Sequence, residues 1–118
     1  MEHILIIDDD IQVRAMLRRM FVKKGYEVTE APNGEKGINL CQKKPADLVI
    51  TDIFMPDKDG IETILELKQN FPKVKTIAIC GIEPDIYLKV ASIFGAVRTF
   101  AKPVKLKKLL KAVQELLN

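Results

Sequence analysis

The sequence predicts one α/β domain in which five parallel strands form a sheet with helices on both faces. Short apolar runs alternate five times with longer amphipathic runs, as in a series of βαβ units. The runs rich in Ile and Val show no polar alternation, which is typical of strands covered on both faces. A chain of 118 residues has the size of one ordinary domain and is long enough to bury a core.

The predicted strands span residues 3–7, 26–31, 47–50, 76–80 and 97–101. The first helix carries an apolar stripe at helical spacing, and Gly25 lies just past its predicted end. The next three helices are predicted at residues 34–43, 60–71 and 84–94, although Gly37 lies inside the first of them. The last helix has the clearest apolar stripe, from Leu106 to Leu117, with lysines on its polar face.

Composition excludes several classes of protein. The longest apolar runs are too short to cross a bilayer, and the first one ends at Asp8 without a signal-peptide cleavage site. Cys41 and Cys80 are too few for a disulfide scaffold and lack metal-binding spacing, so we expect a reduced, cytoplasmic setting and a buried Cys41. The net charge of +3 is modest and no recognition motif accompanies it, so nucleic acid is not an expected partner.

Charged side chains follow three of the predicted strands. Asp8, Asp9 and Asp10 follow the first strand, Asp52 follows the third, and Lys102 follows the fifth. The carboxyl ends of parallel strands meet at one edge of an open sheet, where ligands bind. Clustered carboxylates repel one another and recruit a cation, and an all-oxygen cluster suits Mg²⁺. A carboxylate is also a nucleophile that forms aspartyl phosphates, and a nearby ammonium neutralises phosphoryl charge.

Each of these residues also has a structural interpretation. Asp10 is placed to cap the first helix rather than to bind a ligand. Taken alone, Asp8 and Asp9 are compatible with polar strand-end residues, residues 52–60 with a turn-rich loop, and Lys102 with a surface lysine. Their joint placement after strands one, three and five favours a functional site.

Three motifs together resemble the receiver domain of bacterial two-component response regulators. They are the run from Ile6 to Asp10, the run from Asp52 to Gly60, and Gly95-Ala96 leading to Lys102-Pro103. The resemblance covers the whole chain in the right order and spacing. It implies a flavodoxin-like sheet of order 2-1-3-4-5, in which strands one and three are neighbours. We expect a single receiver domain over residues 1–118 with no output domain, because the sequence ends with the fifth helix; it resembles a stand-alone regulator, a phosphorelay intermediate or a receiver cut from a longer protein. Such a domain is expected to act in signalling and not as an enzyme, with at most self-catalysed phosphoryl transfer and hydrolysis.

The resemblance implies a role for each matching residue. Asp52 is the expected phosphoacceptor, which takes a phosphoryl group from a sensor histidine kinase or a histidine phosphotransfer protein. The expected ligands of Mg²⁺, or of Mn²⁺ in its place, are Asp8, Asp9, Asp52 and the backbone carbonyl of Phe54. Lys102 is expected to contact the phosphoryl group, and its peptide bond to Pro103 to be cis. The expected output is a changed contact with a downstream protein or a separate output domain.

Two positions depart from the family pattern. Cys80 ends strand four where the family usually has Ser or Thr, and it is the expected phosphoryl contact there. Thr99 is the expected switch position, where the family usually has an aromatic residue or His. Phe100 does not replace that residue, because neighbouring side chains of a strand project to opposite faces. We expect phosphorylation to survive and its coupling to a shape change to weaken.

Other functions remain open at the level of the sequence. A pseudo-receiver, which binds partners without being phosphorylated, is the first alternative because of Cys80 and Thr99. A small Mg²⁺-dependent aspartyl phosphatase is more remote, since the chain shows no Asp-x-Asp at one strand end combined with a substrate cap. An FMN carrier is disfavoured, because no phosphate-binding loop rich in Gly, Ser or Thr follows strand one.

Overall fold

Five strands and five helices alternate along the chain in a computed structural model that describes residues 1–55 and 59–118. The strands are β1 (His3–Ile7), β2 (Glu27–Ala31), β3 (Leu48–Asp52), β4 (Lys75–Cys80) and β5 (Arg98–Ala101). The helices are α1 (Ile11–Lys23), α2 (Gly34–Lys43), α3 (Gly60–Asn70), α4 (Pro84–Phe94) and α5 (Leu106–Leu117). All strand pairs are parallel and follow the order β2-β1-β3-β4-β5, which confirms the predicted fold.

The position of β1 inside the sheet explains why its sequence shows no alternation of apolar and polar residues. Ile4 and Ile6 pack into a core that α1 and α5 cover, whereas Leu5 and Ile7 pack into a core that α2 and α3 cover. We name these the α1–α5 core and the α2–α3 core. All four side chains are at most 1% exposed, and full burial of a side chain of this size contributes about 1.5–3 kcal/mol. A third cluster, the α3–α4 core, lies beside β4 and includes Ala78.

Several boundaries differ from the predicted ones by one or two residues. Asp52 is the last residue of β3 and not the second residue after it, because the strand stays paired with β4 as far as the Asp52–Ile79 pair. β5 is only partly buried, since it forms one edge of the sheet and Arg98 is exposed. Pro56, Asp57 and Lys58, which belong to the run from Asp52 to Gly60, lie outside the described residues.

Capping residues and glycines fix the helices on either side of the sheet. The carboxylate of Asp10 accepts the backbone N–H of Gln12 at 2.8 Å, which confirms that Asp10 caps α1. Gly37 lets α2 approach β1 closely, because a Cβ atom there would lie 2.4 Å from Cδ1 of Ile7. None of the helices in the described part of the chain is long and apolar enough to cross a membrane.

Candidate functional site

Three carboxylates converge at the carboxyl end of the sheet. Asp8 follows β1 and Asp52 ends β3, and the two strands are direct neighbours. Asp9 comes next to Asp8, and one carboxylate oxygen from each of the three lies within 4.8 Å of the others. Asp8 and Asp52 are only 2% and 6% exposed, whereas Asp9 is exposed to solvent. We call this cluster of Asp8, Asp9 and Asp52 the acidic pocket.

Lys102 brings a positive charge to the same pocket from the end of β5. Its Nζ lies 2.9 Å from Oδ2 of Asp52 and 3.6 Å from Oδ2 of Asp8. Partial burial alone would lower the pKa of Lys102, but the hydrogen bond to Asp52 and the charges of both carboxylates outweigh it and raise the pKa. The peptide bond between Lys102 and Pro103 is cis, the geometry that the resemblance implied. Lys102 is therefore a cation that faces two carboxylates.

The environment of Asp8 changes its acidity. Its pKa is raised from 3.8 to about 6, mainly by burial, and the charges of Asp52 and Asp9 act in the same direction. The N–H of Asp10, which donates to Oδ1 of Asp8 at 2.9 Å, and the charge of Lys102 oppose that rise. The charge of Lys102 therefore does not offset the combined effect of burial and carboxylate repulsion on Asp8. A bound divalent cation would stabilise the ionised carboxylates of such a cluster.

The donor set of the pocket fits a hard cation. All the side-chain ligands that it offers are carboxylate oxygens, and Mg²⁺ takes one or two carboxylates together with waters and phosphate oxygens. Phe54 follows Asp52 by two residues, and its ring packs edge-on against Tyr87 of α4 at 4.7 Å. This contact holds the Phe54 segment beside the pocket. Its backbone carbonyl as a cation ligand stays a prediction.

Two residues hold the backbone that carries Asp52: Thr51, which the sequence did not single out, and Gly60, which ends one of the three motifs. Thr51, which is fully buried, donates its hydroxyl to the carbonyl of Asp52 at 3.0 Å. Gly60 approaches the same segment so closely that a Cβ atom there would lie 2.2 Å from the carbonyl oxygen of Asp52. The N–H of Gly60 also donates to the carbonyl of Ile53 at 2.7 Å. The sequence placed Gly60 at the end of a motif and at the start of a predicted helix, but it did not show this close approach.

Cys80 lies near Asp52 and Lys102 of the pocket, whereas Thr99 lies within β5, three residues before Lys102. Cys80 is fully buried, and its thiol donates to the carbonyl of Ile82 at 3.1 Å. Burial raises the pKa of this thiol, so it stays protonated at neutral pH. Thr99 pairs with Ala78, a member of the α3–α4 core, whereas Phe100 packs against the α1–α5 core on the other side of the sheet. Phe100 is therefore not on the face that Thr99 occupies.

The sequence matches a known family over nearly its whole length. A sequence model of the response regulator receiver domain matches residues 4–114. The chain belongs to the receiver domain family. It is 34% identical over 116 residues to the chemotaxis protein CheY of Bacillus subtilis, covering 98% of this chain and 97% of that protein. It is 31% identical over 116 residues to sporulation initiation phosphotransferase F of Bacillus subtilis, covering 98% and 94%.

A solved structure of another receiver domain gives the same result. The response regulator TrrA of Thermotoga maritima, crystallised in complex with Mg²⁺ and BeF, superposes with a TM-score of 0.89 at 29% identity. The alignment covers 99% of this receiver domain and 100% of that chain. Receiver domains are signalling phosphoacceptors, and the acidic pocket fits their Mg²⁺ site.

Proposed function

We propose that this receiver domain accepts a phosphoryl group on Asp52 in a Mg²⁺-dependent reaction and signals through altered protein contacts. The observation that carries the proposal is the position of Asp52. Its carboxylate lies beside two further carboxylates, and one of its oxygens is 2.9 Å from the ammonium of Lys102. The similarity to TrrA, which was crystallised with Mg²⁺ and BeF, supports the same chemistry here.

The proposed step is an attack by a carboxylate oxygen of Asp52 on the phosphorus of a phosphohistidine. A P–O bond forms, the P–N bond breaks, and the leaving imidazole nitrogen keeps the electron pair and takes up a proton. Lys102 orients the carboxylate through Oδ2 and supplies positive charge to the transferring group. Asp8, Asp9, Asp52 and the carbonyl of Phe54 would hold a cation that neutralises phosphoryl oxygens. Each transfer converts Asp52 to an aspartyl phosphate, and hydrolysis of that phosphate restores the carboxylate.

The charged residues favour this function over a pseudo-receiver. A module that only bound partners would have no need for a lysine that contacts a buried carboxylate, or for a carboxylate whose pKa is raised by burial. Cys80 and Thr99 affect a later step. The thiol of Cys80 is already bonded to the carbonyl of Ile82, so it offers little to a new phosphoryl group. We propose that phosphorylation proceeds and that the shape change which follows it is small.

The surface beside Lys102 suggests where a phosphodonor protein would bind. An apolar groove of about 570 Å³ lies between α1 and the segment after β5, and it is lined by Val13, Met16, Leu17, Lys102, Pro103, Val104 and Leu106. A histidine that reaches Asp52 must come from a protein in contact with this edge. We expect Met16→Glu to slow transfer from a phosphorylated histidine phosphotransfer protein, whereas the rate with a small phosphodonor stays that of the parent.

Intact-mass spectrometry after incubation with phosphoramidate, a small donor with a P–N bond, tests the proposal. We expect the parent to gain the mass of one phosphoryl group with Mg²⁺ and almost none with EDTA. Asp52→Asn keeps the volume but removes the nucleophile, and it should gain none. Asp10→Asn is the matched control, because Asp10 neighbours the pocket but caps α1, and it should behave as the parent. Equal labelling of the parent and Asp52→Asn would refute the proposal.

A further inference from the structure

A network of three charged residues ends on the backbone of the acidic pocket. Nη1 of Arg14, on α1, donates to the backbone carbonyl of Asp8 at 2.6 Å, and its Nε donates to Oε1 of Glu30 at 3.2 Å. Glu30, on β2, also accepts Nη1 of Arg18 at 3.2 Å. The Arg14 side chain is 13% exposed and that of Arg18 is 50% exposed. The inner arginine thus connects the pocket to the neighbouring strand.

The contact with Arg14 completes the fixation of Asp8. The N–H of Asp8 donates to the carbonyl of Ala31 at 3.1 Å, and its Oδ1 accepts the N–H of Asp10. The remaining backbone group of Asp8 is the carbonyl in the peptide unit that joins it to Asp9, and Arg14 binds it. The carboxylate of Asp9 makes no hydrogen bond or ion pair with any residue in the described ranges. Its direction therefore depends on the orientation of this peptide unit.

An arginine suits this position for a geometric reason. Its planar guanidinium binds a carbonyl and a carboxylate at the same time in a fixed arrangement, whereas a lysine ammonium acts as a single flexible charge. Glu30, which binds both Arg14 and Arg18, offsets part of their positive charge. Arg14 can therefore hold the backbone of an acidic site while repelling a cation there less than an unpaired arginine would.

We propose that Arg14 and Glu30 are positioning residues for the cation site, because they set the orientation of the Asp8–Asp9 peptide unit and so aim the Asp9 carboxylate into the pocket. The inference rests on the proposed function, since it concerns the cation that phosphorylation requires. Outer partners that orient metal ligands change metal affinity by about 10- to 100-fold when they are removed. Because the contact here is to the backbone and not to a ligand atom, we expect the lower end of that range.

A purely electrostatic role and a positioning role of Arg14 predict opposite changes in cation affinity when Arg14 is substituted. Removing the positive charge of Arg14 would tighten cation binding if electrostatic attraction alone mattered. If Arg14 positions the Asp8–Asp9 peptide unit, its removal weakens cation binding instead. Arg18→Gln is the matched control, since it removes the same charge from the same helix and the same acceptor, Glu30, but makes no contact with the loop that follows β1.

The experiment titrates Mn²⁺ against the parent, Arg14→Gln, Arg14→Lys and Arg18→Gln, and counts free Mn²⁺ by electron paramagnetic resonance. We expect about tenfold weaker binding for Arg14→Gln. We expect a smaller loss for Arg14→Lys, and binding equal to or slightly tighter than that of the parent for Arg18→Gln. In cation-free protein, the amide NMR signals of Asp9 and Asp10 should shift in Arg14→Gln and not in Arg18→Gln. If Arg14→Gln does not fold, Arg14→Lys decides the comparison with Arg18→Gln.

Unchanged or tighter Mn²⁺ binding by the folded Arg14 variants would overturn this inference and leave the proposed function standing. The proposed function fails separately, if the parent gains no phosphoryl mass from phosphoramidate and Mg²⁺ or if Asp52→Asn gains as much as the parent. Amide shifts at Asp9 that are equal in the Arg14 and Arg18 variants would also overturn the positioning role.

Discussion

Asp8→Asn should stabilise this receiver domain when no cation is present. Asp8 is 2% exposed, and burial first, then the charges of Asp52 and Asp9, raise its pKa from 3.8 to about 6. One pKa unit corresponds to about 1.36 kcal/mol, so ionised Asp8 costs the folded state up to about 3 kcal/mol. Because the pocket opens to solvent at Asp9, we expect a gain of about 1–3 kcal/mol. Asn keeps the volume and still accepts the N–H of Asp10.

The pH dependence of this gain follows from the sign of the pKa change. The folded-state pKa of Asp8 lies above the unfolded value, so its contribution to stability is fully present below pH 3.8 and is lost as the pH rises through about 6. The variant lacks this titration. Its advantage over the parent should therefore be small at pH about 4 and complete at pH about 7.5.

Urea unfolding in EDTA at several pH values between about 4.5 and 7.5 measures this difference. In thermal unfolding of a chain of this size, each kcal/mol of added unfolding free energy corresponds to a rise of about 3–5 °C in Tm. Asp10→Asn is the control, since Asn caps a helix about as well as Asp, and it should change stability by less than about 0.5 kcal/mol. An Asp8→Asn variant that is less stable than the parent at neutral pH, or a gain that does not vary with pH, would refute the reasoning.

Three further predictions concern other residues around the pocket. Asp9→Ala should fold with unchanged or higher Tm in EDTA and lose the rise in Tm that Mg²⁺ gives the parent; a large loss of stability in EDTA would instead indicate a structural role. Gly60→Ala should cost about 1–3 kcal/mol in urea unfolding, because its Cβ would press on the carbonyl of Asp52, and parent-like stability would contradict that contact. Cys80→Thr should enlarge the amide NMR shifts that beryllofluoride produces in α4 and β5, because a hydroxyl is a better donor than a thiol. Shifts in the parent as large as those of Cys80→Thr would disprove the weak-switch argument.

The sequence predicted the acidic pocket because its residues lie at the ends of strands that the sequence also predicted. Asp8, Asp52 and Lys102 each lie at the carboxyl end of a strand or directly after one, and a parallel sheet brings such residues to one edge. The family resemblance, and not the apolar pattern, predicted that strands one and three are adjacent in the sheet. The cap of α1 by Asp10 was also predictable, since capping is a local interaction.

The contacts that hold the pocket could not be predicted in the same way. Arg14 and Thr51 bind backbone carbonyls, and a carbonyl leaves no trace in the identity of the residue that carries it. The raised pKa of Asp8 depends on burial, which strand patterns do not quantify. The bond from Cys80 to the carbonyl of Ile82 depends on the path of the loop after β4, where the backbone of Glu83 is left-handed with φ +42°.

The most direct test of phosphorylation at Asp52 is to locate the phosphoryl group. After incubation of the parent with phosphoramidate and Mg²⁺, borohydride reduces an aspartyl phosphate to homoserine, and tandem mass spectrometry finds the changed residue. We predict homoserine at position 52 when Mg²⁺ is present and unmodified aspartate when EDTA replaces it. Homoserine at Asp8, Asp9 or Asp10 with Asp52 unchanged would contradict the assignment of the phosphoacceptor.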